Sequence, residues 1–80
     1  MIKDKINLND DFDFEGLKKK MNKFYNKQDI DERDGVKIKF EESWLHIRKS
    51  NTEPIIRIYT EAKSESDCNK IIDNFKALIT

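Results

Sequence analysis

The sequence predicts an α+β domain of two layers, a four-stranded, mainly antiparallel sheet with two helices on one face, in the order β-α-β-β-β-α. Three observations carry that reading. Two segments repeat apolar residues at helical spacing, and four others carry a strand signature, mostly apolar–polar alternation with the period of two that a half-buried strand requires. The links between the last three strands are also too short for parallel crossovers, which favours antiparallel pairing. Eighty residues make one domain, 1–80, and a two-layer arrangement lets both apolar helix faces share one sheet.

Residues 2–8 (Ile-Lys-Asp-Lys-Ile-Asn-Leu) alternate and predict a short first strand. Asp11 or Asp13 can then cap a helix by accepting hydrogen bonds from its first free N–H groups. Phe14, Leu17, Met21 and Phe24 follow at i, i+3, i+7 and i+10, the apolar face of a helix running to about Asn26. Gly16 in its first turn costs up to about 1 kcal/mol relative to alanine.

Asp34-Gly35 signals a turn. After it Val36, Ile38 and Phe40 alternate with Lys37, Lys39 and Glu41 as the second strand. Glu42-Ser43 turns the chain, and Leu45 and Ile47 then lie on one face with Trp44, His46 and Arg48 on the other. A polar loop ends at Pro54, and Ile55-Ile56-Arg57-Ile58-Tyr59-Thr60 is the strongest strand signal, β-branched and aromatic. Ser64 with Asp67 approximates a capping box. Cys68, Ile71, Ile72, Phe75, Leu78 and Ile79 form the apolar stripe of the last helix.

Composition excludes several classes of function. Sixteen basic residues balance sixteen acidic ones, which argues against a dedicated nucleic-acid binder. Charged residues are 40% of the chain, but five Phe, two Tyr and one Trp at regular spacings indicate a folded domain. One cysteine and one histidine rule out an internal disulfide and zinc sites of the Cys-pair or His-rich kind. No apolar run approaches the roughly 20 residues of a membrane span, and the charged N-terminus does not read as a secretory signal. The expectation is a soluble, cytoplasmic domain with no membrane or nucleic-acid partner.

Chemistry concentrates in Arg48-Lys49-Ser50-Asn51-Thr52. The stretch offers a guanidinium fork, two hydroxyls, an amide and several backbone N–H groups in one tight connection. Arginine matches phosphate or carboxylate oxygens bidentately, and the other donors can fill the remaining lone pairs. Successive N–H groups in a bend can also form an anion-binding nest. An ordinary polar hairpin loop, its hydroxyls bonded to its own backbone, uses the same residues. On residue chemistry alone both readings stand.

The same residues carry a resemblance. Asp34-Gly35-Val36-Lys37-Ile38, followed by Trp44-Leu45-His46-Ile47-Arg48-Lys49-Ser50-Asn51-Thr52-Glu53-Pro54-Ile55-Ile56-Arg57-Ile58-Tyr59, resembles the C-terminal domain of the phosphohexomutases, which include phosphomannomutases, phosphoglucomutases and phosphoglucosamine mutases. The likeness is strongest over residues 34–62 and extends more loosely through both helices. It implies a TATA-binding-protein-like fold and the last of four domains of an isomerase. It also implies a loop 48–54 that grips the non-transferred phosphate of a hexose phosphate during intramolecular phosphoryl transfer. Arg48, Ser50, Asn51 and Thr52 would contact that phosphate, and Glu53 and Pro54 would shape the loop.

The family's phosphoserine loop and magnesium-binding Asp-Gly-Asp-Gly-Asp-Arg loop do not occur in these 80 residues. The resemblance therefore implies no activity and no cofactor for this chain alone. The magnesium of the full-length enzyme, and its remaining domains as partners, lie elsewhere. The alternative is a free-standing module for small anions or a protein partner.

Other residues have plainer expectations. Lys18, Lys19, Lys20, Lys23 and Lys27 read as a solvated helix face, and Cys68 as buried packing. His46 reads as a surface or inter-domain contact, and Arg57 as an ion-pair partner of nearby carboxylates. Trp44 and Tyr59 either face missing domains or cover the sheet.

Overall fold

The structure, a computed structural model, describes residues 1–8 and 12–79. Its elements are β1 (Ile2–Asn7), α1 (Phe14–Phe24), β2 (Asp29–Asp31), β3 (Val36–Lys39), β4 (Trp44–Lys49), β5 (Ile55–Glu61) and α2 (Glu65–Ile79). The strands form one sheet in the order β1-β5-β4-β3-β2, every neighbouring pair antiparallel. The expected two-layer α+β architecture is therefore present, with one strand more than the alternation suggested.

That added strand is β2, where Asp29-Ile30-Asp31 has a single apolar side chain between two poor strand formers. Its partners explain it, because Asp29 stands opposite Lys39 and Asp31 opposite Lys37. Opposite charges directly across an antiparallel pair stabilise it.

Leu17, Met21, Ile72 and Phe75 from the helices and Val36, Ile38, Leu45, Ile47, Ile56 and Ile58 from the sheet form one buried cluster. Both helices thus cover the same sheet face, and the other face is left to Trp44, His46, Arg48, Arg57 and Tyr59. Thr60 is fully buried and donates its hydroxyl to the Trp44 carbonyl at 2.8 Å, so its burial leaves no unpaired polar group. Cys68 is buried, as its place on the α2 stripe implied.

The helix ends follow their caps. Asp13 accepts from the Gly16 N–H at 2.9 Å, while Asp11 lies outside the described residues. A side chain at Gly16 would meet the Asp13 carboxylate 2.5 Å away, so the glycine leaves room for the cap. Ser64 accepts from the Asp67 N–H at 3.1 Å and starts α2. α1 stops at Phe24 and not near Asn26, its C-cap Tyr25 donating to the Met21 carbonyl at 2.8 Å.

The apolar stripe of α1 is corrected at the same point. Phe24 is 55% exposed and Tyr25 only 6%. Four residues beyond Met21, Tyr25 continues the buried side of the helix. Phe24 turns to the rim and meets the Tyr25 ring edge-on, centroids 4.8 Å apart.

Candidate functional site

Alternation along β4 buries Leu45 and Ile47 and sends Trp44, His46 and Arg48 to the open face of the sheet. On β5 the same parity presents Arg57 and Tyr59. The register then sets Arg48 directly opposite Arg57, and Arg57 opposite Lys5 of β1. Three cations from three adjacent strands stand in one row beside the β4–β5 loop. Among the described residues neither Arg57 nor Lys5 has a carboxylate partner, so the ion pair expected of Arg57 is not found among them. Sequence reasoning passed over Arg57 as a site residue because register, which puts it beside Arg48, is not written in a single strand.

The loop itself is tied internally. Ser50 donates its N–H to the Ile55 carbonyl at 3.1 Å, and its Oγ accepts from the Thr52 and Glu53 N–H groups at 3.3 and 3.2 Å. The Glu53 carbonyl accepts from Ile55, and the Pro54 carbonyl accepts from Leu8 at the end of β1. Part of the ordinary hairpin reading is therefore realised, with a hydroxyl serving its own backbone.

Those bonds use lone pairs of Ser50 Oγ and leave its hydrogen to give. Thr52 Oγ1 lies 3.4 Å away. Asn51, Thr52, Glu53 and Pro54 are all exposed and Ser50 is half-buried, so the loop presents the Thr52 hydroxyl and the Asn51 amide to solvent, with the Ser50 hydroxyl beneath them. Of the sequence-selected residues, Ser50, Asn51 and Thr52 form the tip and Arg48 the adjoining strand end. Glu53 acts through its main-chain N–H and carbonyl and Pro54 through its carbonyl.

A second segment reaches the site from the β2–β3 turn. Asp34 Oδ1 lies 3.4 Å from Arg48 Nε, and the Asp34 carbonyl is 2.6 Å from His46 Nε2. A carbonyl only accepts, so His46 carries its proton on Nε2. Gly35 has φ +71°, and a Cβ there would run into the Ile47 carbonyl oxygen and lie 3.3 Å from Arg48 Cα.

Asp31 closes the other end of this turn, accepting from the Arg33 N–H, Nε and Nη2. The Arg33 side-chain bonds, aided by the main-chain one, hold the Asp31 carboxyl far below the usual carboxylate range. A concavity of about 220 Å³ between the turn and β4 is lined by Asp31, Arg33, Asp34, Lys37 and His46.

Elsewhere, a cleft of about 600 Å³ opens where the end of α1, the β3–β4 turn and α2 meet, lined in part by Phe24, Tyr25, Phe40 and Ile71. It contains none of the loop residues. Burial pushes the Tyr25 hydroxyl up to about 12, and that hydroxyl finds no hydrogen-bond partner among the described residues. On the open sheet face Lys37 sits over the Trp44 ring, 4.8 Å from its centre. Among the described residues no three His, Cys, Asp or Glu side chains converge as a metal site, and no helix is long and apolar enough to cross a membrane.

Comparison with known proteins gives this geometry a context. A family model described as phosphoglucomutase/phosphomannomutase, C-terminal domain, matches residues 4–78, and the chain belongs to that family. It is 36% identical over 81 residues to a phosphoglucosamine/phosphogalactosamine mutase of Sulfurisphaera tokodaii, covering 99% of this chain and 18% of that protein. It is 50% identical over 44 residues to a phosphoglucomutase/phosphomannomutase of Thermococcus kodakarensis, covering 55% of this chain and 10% of the relative. A phosphomannomutase of Methanocaldococcus jannaschii is 36% identical over 50 residues, 62% of this chain and 11% of its own. The chain thus spans between a tenth and a fifth of the length of these curated relatives.

Proposed function

We propose that this domain grips the non-reacting phosphate of a hexose phosphate, working with the other domains of a phosphohexomutase and inactive alone. The observation that carries the reading is the Arg48–Arg57 pair beside a loop of outward hydroxyl and amide groups. Like charges directly across a strand pair destabilise it, and an anionic ligand turns that cost into binding. Arg48 supplies the bidentate fork, and Ser50 and Thr52 donate hydroxyl hydrogens. The Asn51 amide reaches further oxygens, and Arg57 adds charge from the neighbouring strand. Ser50 donates better because its lone pairs already accept two N–H groups.

In an intramolecular phosphoryl transfer the phosphate that stays on the sugar is a handle remote from the chemistry. Binding energy gathered there holds the reacting oxygen in line without acting on the scissile bond. A domain that closes over this handle also keeps water from taking the phosphoryl group. The mutase names of the relatives, all of them acting on phosphorylated sugars, support this choice of ligand.

The test is an amide-resolved NMR titration of the 80-residue chain with glucose 6-phosphate, with glucose at equal ionic strength as control. An isolated half-site should bind with Kd around 1 mM, about −4 kcal/mol. Saturable shifts at residues 48–57, absent with glucose and lost in Arg48→Ala, are the expected result. Shifts of equal size with glucose, or binding untouched by Arg48→Ala, would sink the phosphate role.

A further inference from the structure

We infer that Asp34 is a positioning residue for Arg48, holding the guanidinium so that its two Nη groups are left for the ligand. The inference rests on the phosphate reading of Arg48 and deepens it. Asp34 meets Arg48 at Nε, 3.4 Å away, with both side chains largely in solvent. An ion pair so exposed contributes little to stability, so stability does not account for what surrounds it.

Three independent contacts place Asp34 where it is, and none of them is the ion pair. His46 donates its Nε2 hydrogen to the Asp34 carbonyl at 2.6 Å. Gly35, in the left-handed region, lies so close to Ile47 and Arg48 that a side chain would strike their backbone. Asp31 chelates the Arg33 main chain and side chain and closes the preceding bend. The turn is thereby locked onto the strand that carries Arg48, and the carboxylate arrives beside Nε at a set distance.

An arginine offers two edges for bidentate pairing, one made of Nε with an Nη and one of both Nη groups. With Asp34 on Nε, the edge built from both Nη groups remains. A side chain already restrained loses less freedom when a ligand arrives, and so binds more tightly. Asp34 also repels an anion, so a merely electrostatic role predicts tighter binding once it is removed. The two roles differ in sign.

The experiment titrates glucose 6-phosphate into the 80-residue chain as wild type, Asp34→Ala, Asp34→Asn and Arg48→Ala, while following the Arg48 Nε–H signal by ¹⁵N NMR. Asp34→Ala should weaken binding roughly three- to tenfold, the range for one restrained side chain set free, and should broaden the Nε–H signal. Asp34→Asn keeps an oxygen at the same place and should restore both to within about twofold of wild type. Backbone amides away from residues 33–36 and 46–54 should not move, which separates positioning from unfolding.

Unchanged or tighter binding in Asp34→Ala, with loss in Arg48→Ala, overturns the positioning role and leaves the phosphate site standing. A wild-type chain that binds no glucose 6-phosphate overturns the phosphate reading and this inference with it.

Discussion

The cross-strand arginines predict a substitution that raises stability and lowers binding together. Arg57 is exposed, stands opposite both Arg48 and Lys5, and has no acidic partner among the described residues. Two unit charges roughly 7 Å apart in water repel by about 0.6 kcal/mol, and two such neighbours give about 1 kcal/mol after partial relief by Asp34. Arg57→Gln should therefore stabilise the ligand-free domain by about 1 kcal/mol at low salt, a rise in Tm of about 4–8 °C for a domain this size. Raising salt to about 1 M shortens the screening length to about 3 Å and should erase most of the gain.

Ligand erases the difference. With Kd near 1 mM, glucose 6-phosphate at about 10 mM stabilises the wild type by RT ln 11, about 1.4 kcal/mol. If losing Arg57 weakens binding about tenfold, the variant gains RT ln 2, about 0.4 kcal/mol. The two proteins should then melt together. Differential scanning calorimetry at matched ionic strength measures all four conditions. A variant less stable than wild type without ligand, or one that gains equally from it, would refute the reasoning.

Other residues yield separate expectations. Tyr25→Phe removes a buried hydroxyl that finds no partner among the described residues, so it should stabilise the domain by about 1 kcal/mol; a lower Tm would mean the hydroxyl is bonded. Burial raises the Tyr25 hydroxyl from 10.0 to about 12, so its contribution is complete below about pH 10 and is lost as pH rises through 12. Absorbance at alkaline pH should show Tyr25 ionising late, and its ionisation in the ordinary tyrosine range would contradict this.

Gly35→Ala forces a side chain into the left-handed region and against the Ile47 carbonyl. It should cost at least about 2 kcal/mol in urea unfolding, and a neutral result would mean the turn is free to move. The Asp4 carboxyl is lowered mainly by the Lys5 N–H and then by Lys76. Its contribution is present above its unfolded value and lost as pH falls through the lower folded one. Lys76→Gln should move the Asp4 titration upward in a carboxyl NMR experiment, and an unmoved titration would remove Lys76 from the account.

What the sequence made legible follows the range of the forces involved. Period-two alternation located β3 and β4, and β-branched and aromatic content located β5, within a residue or two, because burial of Val36, Ile38, Leu45, Ile47, Ile56 and Ile58 against one helix layer acts on each strand by itself. The caps Asp13 and Ser64 were legible because they act within three residues. β2 was not, since its order comes from pairing with residues 37–39 on another strand. The exchange of Phe24 for Tyr25 turned on where α1 stops, and local spacing leaves both residues near the same edge.

The candidate site divides along the same line. Arg48, Ser50, Asn51 and Thr52 fall within one short stretch, residues 48–52, so their donor chemistry could be read directly. Arg57 and Asp34 reach Arg48 only through pairing register and a turn pressed onto β4; the Asp34-Gly35 turn was legible, but its contact with Arg48 was not. Seen from Arg48, however, the two are opposite in kind. Arg57 adds positive charge that folding alone would select against, while Asp34 sets a carboxylate 3.4 Å from the Arg48 Nε. A surface optimised for stability would have paired Arg57 with the carboxylate instead. Keeping the acid on Nε, with no carboxylate on the second arginine among the described residues, is the arrangement expected where a counter-charge arrives with the ligand.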